Sequence, residues 1–131
     1  AALVLDDSST ARKLVKDALE KMGLSVVEAK NGVEGLERME ELYQRYGDNL
    51  SRELRVILSD IEMPQMDGYR FASTIKDDPK YAGIPIIFNS SLSKDYTEAQ
   101  SKEAGAAAYL TKFDATLFYN EVLRVIEAHK K

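Results

Sequence analysis

Five side chains with acid–base or anion-binding chemistry follow apolar segments of this sequence. They are Asp6, Asp7, Asp60, Ser90 and Lys112. Carboxylates gathered in one place repel, and two unit charges about 5 Å apart cost about 3 kcal/mol at an effective dielectric constant of about 20. Mg²⁺ removes that cost, since it binds one or two carboxylates together with water and phosphate oxygens. With a lysine and a hydroxyl nearby, these residues predict a Mg²⁺-assisted phosphoryl site in which a carboxylate attacks phosphorus.

The segments that must position these residues alternate between apolar strands and amphipathic helices. Strands are predicted at 2–6, 25–29, 55–60, 84–91 and 106–112, and helices at 9–23, 31–47, 69–76, 93–105 and 114–130. Residues 48–54 are predicted to form a polar connection. Strands that are apolar on both faces, each followed by a helix, favour a parallel sheet covered by helices on both sides. Reactive groups gather at the carboxyl ends of such strands, which is where the five side chains lie.

The composition is that of a single globular domain covering residues 1–131, with 44% hydrophobic and 31% charged residues. A formal net charge of -4 argues against a nucleic-acid-binding surface. No apolar run approaches the roughly 20 residues that span a bilayer. The absence of cysteine excludes disulfides and thiolate chemistry and is compatible with the cytoplasmic location that we expect. Because strand-like residues begin at Leu3, we expect the chain to be a piece of a longer protein.

Four motifs together resemble the receiver domain of response regulators. They are "LVLDDSS", "LSDIEMPQMDG", "IIFNSS" and "AAAYLTKFD", each at a predicted strand end. The resemblance covers residues 3–128 and implies a flavodoxin-like (CheY-like) α/β fold, with a single doubly wound five-stranded parallel sheet of order 2-1-3-4-5 and five helices. The segments "TKFD", "SDIEMPQMDGY" and "SSLS" are similar to the receiver domain of CheV-type chemotaxis coupling proteins, in which a CheW-like domain precedes the receiver.

The resemblance implies a role for each acid of the site. Asp60 would be the nucleophile that accepts a phosphoryl group from a phosphohistidine of a histidine kinase. Asp7 would bind Mg²⁺ directly, and Asp6 would bind it directly or through water. Glu62 would contribute its backbone carbonyl as a further metal ligand, while its side chain would face the entrance of the site.

The same resemblance implies how the phosphoryl group is held and sensed. Ser90 would hydrogen-bond the phosphoryl group and Lys112 would pair with its charge, while Tyr109 would turn inward as Ser90 moves. Gly68 would supply a backbone conformation that is costly for other residues. Receivers usually have proline after the lysine, but this chain has Phe113. We therefore expect a trans peptide bond there, since a cis bond would cost about 3 kcal/mol.

The implied function is that of a two-component signalling receiver in bacterial chemotaxis, with a CheA-like histidine kinase as phosphodonor and the chemoreceptor–kinase complex as a further partner. The domain would catalyse its own phosphorylation and dephosphorylation without being a conventional enzyme. Its output would be a change on the face formed by the helix at 93–105, the fifth strand and the last helix. Neither nucleic-acid binding nor membrane insertion is expected.

Other functions remain open at this point. The chain could be the receiver of a transcriptional or other response regulator, or an interaction module that keeps the fold and works without phosphorylation. A carboxylate-nucleophile phosphatase also uses an aspartate at a strand end. Such enzymes usually place a second aspartate two residues later, where this chain has Glu62, and this reading is therefore disfavoured.

Overall fold

The described residues form a five-stranded parallel sheet. The computed structural model describes residues 1–61, 63–90, 106–111 and 115–128, and only the backbone at residues 90, 108–111 and 115–117. The strands are β1 (Ala2–Leu5), β2 (Val26–Ala29), β3 (Val56–Ser59), β4 (Ile86–Ser90) and β5 (Ala108–Thr111). Neighbouring strands pair in parallel in the order β2-β1-β3-β4-β5. The predicted fold class and strand order are thus confirmed.

Helices follow four of the strands. They are α1 (Ser9–Lys21), α2 (Gly32–Tyr46), the one-turn helix α3 (Leu50–Glu53), α4 (Gly68–Lys76) and α5 (Ala115–Ala128), with a 3-10 turn at Gly47–Asn49. The helices α1, α2, α4 and α5 correspond to predicted ones, and the helix predicted at 93–105 lies outside the described residues. Among the described helices, none is both long and apolar enough to cross a membrane.

The connection between α2 and β3 differs from the polar segment predicted at 48–54. The 3-10 turn and α3 occupy most of it, and they bury Leu50 and Leu54 in the core. Two leucines four residues apart lie on the same side of a helical turn. Burial of each leucine contributes about 2 kcal/mol, which explains why a short and largely polar segment becomes helical.

The helices beside the strand ends begin at side-chain caps. Ser8, Asn31 and Asp67 each accept a hydrogen bond from the backbone N–H three residues later, at 3.2, 2.9 and 2.8 Å. Such caps satisfy one of the N–H groups that the first turn of a helix leaves without a partner. They fix the starts of α1, α2 and α4, and therefore the lengths of the loops that follow β1, β2 and β3.

Hydrophobic side chains form one cluster on each face of the sheet. Leu3 and Leu5 of β1 face the cluster under α2 and α4, whereas Ala2 and Val4 face the cluster under α1 and α5. This alternation follows from the two-residue period of a strand. Because β1, β3 and the described part of β4 are buried on both faces, their carboxyl ends are held rigidly, and the residues just beyond them have defined positions.

Candidate functional site

Three carboxylates meet at the carboxyl edge of the sheet. Asp6 and Asp7 follow β1, and Asp60 follows β3, the neighbouring strand. One oxygen from each residue lies within 4.8 Å of the other two. The register pairs Leu5 with Ser59, so the residues after them reach the edge at the same level. The structure therefore brings together three of the predicted metal ligands.

The environment of these acids strengthens their repulsion. Asp6 is 3% exposed and Asp60 is 8% exposed, whereas Asp7 is exposed. Each pair of charges at this separation costs about 3 kcal/mol at an effective dielectric constant of about 20, and burial weakens screening by solvent. A divalent cation reverses this balance, and hard oxygen donors of this kind are the ligands that Mg²⁺ prefers. The residues present therefore fit a Mg²⁺ site that is open on the side of Asp7.

Side-chain hydrogen bonds fix the loop between β1 and α1. The backbone N–H of Ser8 donates to Oδ1 of Asp6 at 2.9 Å, which orients that carboxylate. Arg12 donates from Nη1 to the backbone oxygen of Asp6 at 2.7 Å and from Nε to Oε1 of Glu28 at 3.0 Å. The Arg12 side chain is only 14% exposed, so these charge-assisted bonds are partly shielded from water. Arg12, to which no sequence motif points, thus ties the acidic loop to β2.

Backbone contacts hold Asp60 in place. Its N–H donates to the oxygen of Leu5 at 2.8 Å, and Oγ of Ser59 donates to the Asp60 backbone oxygen at 2.8 Å. Oδ1 of Asp60 accepts a hydrogen bond from the N–H of Ile61 at 2.8 Å. The carboxylate therefore has a fixed direction at the strand end, as a nucleophile or metal ligand requires.

The loop between β3 and α4 passes very close to Asp60. The N–H of Gly68 donates to the oxygen of Ile61 at 2.8 Å, and a Cβ on Gly68 would collide with the backbone oxygen of Asp60. Among the described residues, the positive φ angles are those of Gln65, at 69°, and of two glycines elsewhere in the chain. The predicted reason for Gly68 is therefore wrong. Gly68 is required because there is no room for a side chain, and the unusual conformation belongs to Gln65.

The same loop also packs against the start of α2. The N–H of Gly32 donates to the oxygen of Met66 at 3.1 Å, and the N–H of Met66 donates to the oxygen of Pro64 at 2.7 Å. A Cβ on Gly32 would lie 2.6 to 2.8 Å from side-chain atoms of Met66. A glycine at position 32 therefore allows this loop to pack closely onto α2.

The other predicted site residues lie partly or wholly outside the described residues. Ser90 is the last residue of β4 and Tyr109 lies in β5, but the description of both is limited to the backbone. Glu62, Lys112 and the peptide bond between Lys112 and Phe113 lie outside the described residues. Their predicted roles stay predictions.

Comparison with known sequences places these observations in a family. Residues 2–118 match the response regulator receiver domain. The chain is 49% identical over 125 residues to the chemotaxis protein CheV3 of Helicobacter pylori, an alignment covering 95% of this chain and 40% of that protein. It is 38% identical over 110 residues to the sensor histidine kinase CheAY of the same organism, covering 84% of this chain and 13% of the kinase. The chain thus spans less than half the length of these relatives.

Solved structures share the architecture. The chemotaxis response regulator CheY4 of Vibrio cholerae has a TM-score of 0.80 and 27% identity, covering 95% of this chain and 96% of that one. The signal receiver domain of a histidine kinase from Syntrophus aciditrophicus has a TM-score of 0.80 and 29% identity, covering 97% and 89%. The sequence match and the shared fold both extend over most of the molecule. The chain therefore belongs to the response regulator receiver domain family.

Proposed function

We propose that this domain, covering residues 1–131, accepts a phosphoryl group on Asp60 from a phosphohistidine of a histidine kinase in a Mg²⁺-dependent reaction. The observation that carries the proposal is the group of three carboxylates whose oxygens lie within 4.8 Å of one another at the sheet edge. Membership of the receiver family supports it. Similarity to CheV3 and CheAY supports a role in bacterial chemotaxis.

Asp6, Asp7 and Asp60 would hold the metal, with the backbone carbonyl of Glu62 as a further ligand. Bound Mg²⁺ supplies positive charge that offsets both the carboxylates and the phosphoryl oxygens. Each aspartate has a distinct task that its surroundings support. The hydrogen bond from Ser8 orients Asp6, and exposed Asp7 lies where an ion enters from solvent. The fixed direction of Asp60 suits attack on phosphorus.

The proposed transfer exchanges one bond at phosphorus for another. A carboxylate oxygen of Asp60 attacks phosphorus, the bond from phosphorus to the imidazole nitrogen breaks, and its electron pair stays on that nitrogen. The products are an acyl phosphate on Asp60 and a free histidine on the kinase. When the signal ends, water attacks phosphorus, the bond from phosphorus to the Asp60 oxygen breaks, inorganic phosphate leaves and the carboxylate is restored. Ser90 and Lys112 would bind the phosphoryl oxygens in both steps.

The proposed output is a change on a protein-binding face formed by residues 93–105, β5 and α5, with Ser90 and Tyr109 as the switch. On α5, Tyr119 is 51% exposed and Leu123 is 40% exposed. These two large apolar side chains lie one helical turn apart and would both contact a partner that docks on this side of α5. A CheA-like histidine kinase and the chemoreceptor–kinase complex are the proposed partners, in the cytoplasm.

Substitution of Asp60 by asparagine tests this function. We expect radiolabelled acetyl phosphate to label the wild type in the presence of Mg²⁺ and not to label Asp60→Asn, while circular dichroism shows the same fold. Asp17→Asn, a change of an exposed acid on α1, is the matched control and should be labelled like the wild type. Undiminished labelling of Asp60→Asn would overturn the assignment.

Titration with Mg²⁺ separates this function from that of a phosphorylation-independent interaction module. Since Asp7 is a proposed direct ligand, Asp7→Ala should weaken Mg²⁺ binding by about tenfold or more. A module that only retains the acids would bind Mg²⁺ weakly, and Asp7→Ala would leave that binding unchanged.

A further inference from the structure

Asn89 is a buried polar residue in an otherwise apolar segment of strand. It follows Ile86, Ile87 and Phe88 in β4 and is 7% exposed. Asparagine is depleted in strands because its side chain packs poorly on a pleated and buried surface. The hydrogen bonds found among the described residues include none from the Asn89 carboxamide. The strand therefore contains a polar group that the packing of the protein does not explain.

The register of the sheet places Asn89 beside Asp60. β3 and β4 are parallel, with Leu58 opposite Ile87. Both of these side chains belong to the hydrophobic cluster under α1 and α5. Asn89 lies two residues further along β4, and Asp60 lies two residues after Leu58, one position beyond the end of β3. Since side chains that are two residues apart leave a strand on the same face, Asp60 and Asn89 are neighbours on one face of the sheet at its carboxyl edge.

A second asparagine shows what a structural role looks like in this protein. Asn31 is also 7% exposed, but its Oδ1 accepts a hydrogen bond from the N–H of Glu34 at 2.9 Å and caps α2. Burial of an amide is unfavourable unless a hydrogen bond compensates it. Asn31 has that compensation within the described part of the chain. No such hydrogen bond is found for the Asn89 carboxamide in the described part of the chain.

The chemistry of the carboxamide suits a ligand that is rich in hydrogen-bond acceptors. A carboxamide offers two N–H donors, and no fully buried side-chain nitrogen or oxygen among the described residues lacks a hydrogen-bond partner. The polar atoms of the Asn89 amide that lack a partner therefore keep some exposure to solvent. A phosphoryl group on Asp60 would present negatively charged oxygens at that edge. Hydrogen bonds to charged acceptors are about twice as strong as those between neutral groups.

We propose that Asn89 is a phosphoryl-binding residue whose carboxamide N–H donates to an oxygen of the group carried by Asp60. The inference rests on the proposed function and deepens it. It adds a neutral donor from β4 to the cation and the hydroxyl proposed at Lys112 and Ser90. A neutral donor stabilises the bound anion without repelling the metal ion that the three aspartates hold.

Two variants that are nearly isosteric with each other test this role. Asn89→Val removes the donor, and Asn89→Thr keeps a hydroxyl donor in a side chain of the same shape as valine. The probe is beryllofluoride with Mg²⁺, a stable mimic of a phosphoryl group on a carboxylate, measured by calorimetric titration. We expect the Kd for beryllofluoride to rise about tenfold in Asn89→Val and to stay within about threefold of the wild type in Asn89→Thr. The Kd for Mg²⁺ alone should be unchanged in both variants.

The Tm of thermal unfolding distinguishes a functional asparagine from a structural one. Replacement of a structural asparagine lowers the Tm, whereas we expect replacement of Asn89 to raise it. Valine suits a buried strand better than asparagine does, so Asn89→Val should raise the Tm by about 3 °C. Asn31→Val removes a helix cap and should lower the Tm by a similar amount. A functional polar residue is thus separated from a structural one by the sign of the shift.

The outcomes distinguish failure of this inference from failure of the proposed function. If the wild type binds neither Mg²⁺ nor beryllofluoride, the proposed function is wrong and this inference is wrong with it. If the wild type binds both and Asn89→Val binds beryllofluoride equally well, only the role of Asn89 is overturned. The role is also overturned if Asn89→Val melts earlier than the wild type or loses Mg²⁺ binding, because Asn89 would then be structural.

Discussion

The two loops that carry the acids of the site are held in place by different kinds of interaction. The loop after β1, residues 6–8, depends on side chains. Arg12 donates at 2.7 Å to the backbone oxygen of Asp6 and at 3.0 Å to Glu28 on β2. Each of these bonds can be removed while the path of the chain stays possible. We therefore expect substitutions around this loop to have graded effects on the position of the acids.

The loop after β3, residues 60–67, depends on close backbone contacts. Gly68 lies directly against the Asp60 carbonyl, and the N–H of Gly32 donates to the oxygen of Met66 at 3.1 Å. Here the loop is sensitive to atoms that are added, because an extra carbon must displace the backbone that carries Asp60. The comparison teaches that the site combines a tolerant loop, which carries Asp6 and Asp7, with an intolerant loop, which carries Asp60.

Gly68→Ala should have the largest effect on stability. The added methyl group would occupy the space of the Asp60 carbonyl oxygen, and relief would break the hydrogen bond from Gly68 to Ile61. We expect the free energy of unfolding to fall by about 3 kcal/mol, the upper end of the usual range for overpacking. Mg²⁺ binding should weaken together with it. Urea unfolding and Mg²⁺ titration measure the two effects.

Two other glycines provide controls for Gly68→Ala. In Gly32→Ala the new carbon meets the flexible side chain of Met66, which can turn away. The free energy of unfolding should therefore fall by only about 1 kcal/mol. In Gly23→Ala nothing lies within 4 Å but φ is 88°, so that variant measures the conformational cost alone, about 1 kcal/mol. If Gly68→Ala lost no more free energy of unfolding than Gly23→Ala, the close approach of Gly68 to the Asp60 carbonyl would not explain the need for glycine.

Arg12→Met should have an intermediate effect, concentrated on metal binding. Methionine keeps much of the aliphatic stem but removes the hydrogen bonds to Asp6 and Glu28. We expect a loss of about 1 kcal/mol in the free energy of unfolding. We also expect Mg²⁺ binding to weaken by about tenfold, as is usual when a group that orients a metal ligand is removed. Chemical unfolding and Mg²⁺ titration again provide the measurements.

Lys16→Met is the matched control for Arg12→Met. Lys16 also pairs with Glu28, at 3.6 Å, but it is more exposed and it donates none of the hydrogen bonds found to Asp6. Both variants remove one positive charge that pairs with Glu28, and a loss of positive charge by itself favours binding at the proposed Mg²⁺ site. Weaker binding in Arg12→Met alone would identify the hydrogen bond to the Asp6 carbonyl as the cause. Equal Mg²⁺ affinities in the two variants would show that Arg12 does not position the loop.

The sequence predicts the acids of the site better than it predicts their supports. Asp6 and Asp60 directly follow apolar runs, and the ends of parallel strands meet at one edge. Their proximity was therefore predictable from local pattern and topology. The pairing of Arg12 with Glu28 depends on how α1 lies over β2, which tertiary packing decides. A cation six residues after Asp6 was visible in the sequence, but its partner was not.

Turn glycines and very short helices have ambiguous sequence patterns. A glycine in a turn indicates a special backbone requirement, but the sequence does not distinguish a positive φ from a lack of space. The first was predicted for Gly68 and the second is observed. Likewise, Leu50 and Leu54 have helical spacing, but the segment around them is too short for periodicity to outweigh its polar residues.

Gln65→Gly should have the smallest effect, and it tests whether backbone contacts alone position the loop after β3. Gln65 has a φ of 69°, a conformation that costs a residue with a side chain about 1 kcal/mol relative to glycine. Glycine relieves that strain but also gives the unfolded chain more freedom. The net expectation is a gain of about 0.5 kcal/mol in the free energy of unfolding.

Mg²⁺ affinity should be unchanged in Gln65→Gly, because the contacts that Gly32 and Gly68 make with the loop do not involve the Gln65 side chain. Gln44→Gly, on the exposed side of α2, is the control. Because φ at Gln44 is negative, glycine relieves no strain there, and the free energy of unfolding should fall by about 1 kcal/mol. If Gln65→Gly weakens Mg²⁺ binding while the fold is intact, stiffness at position 65 also positions Asp60. The two loops would then both rely on side chains, and the contrast between them would be one of degree.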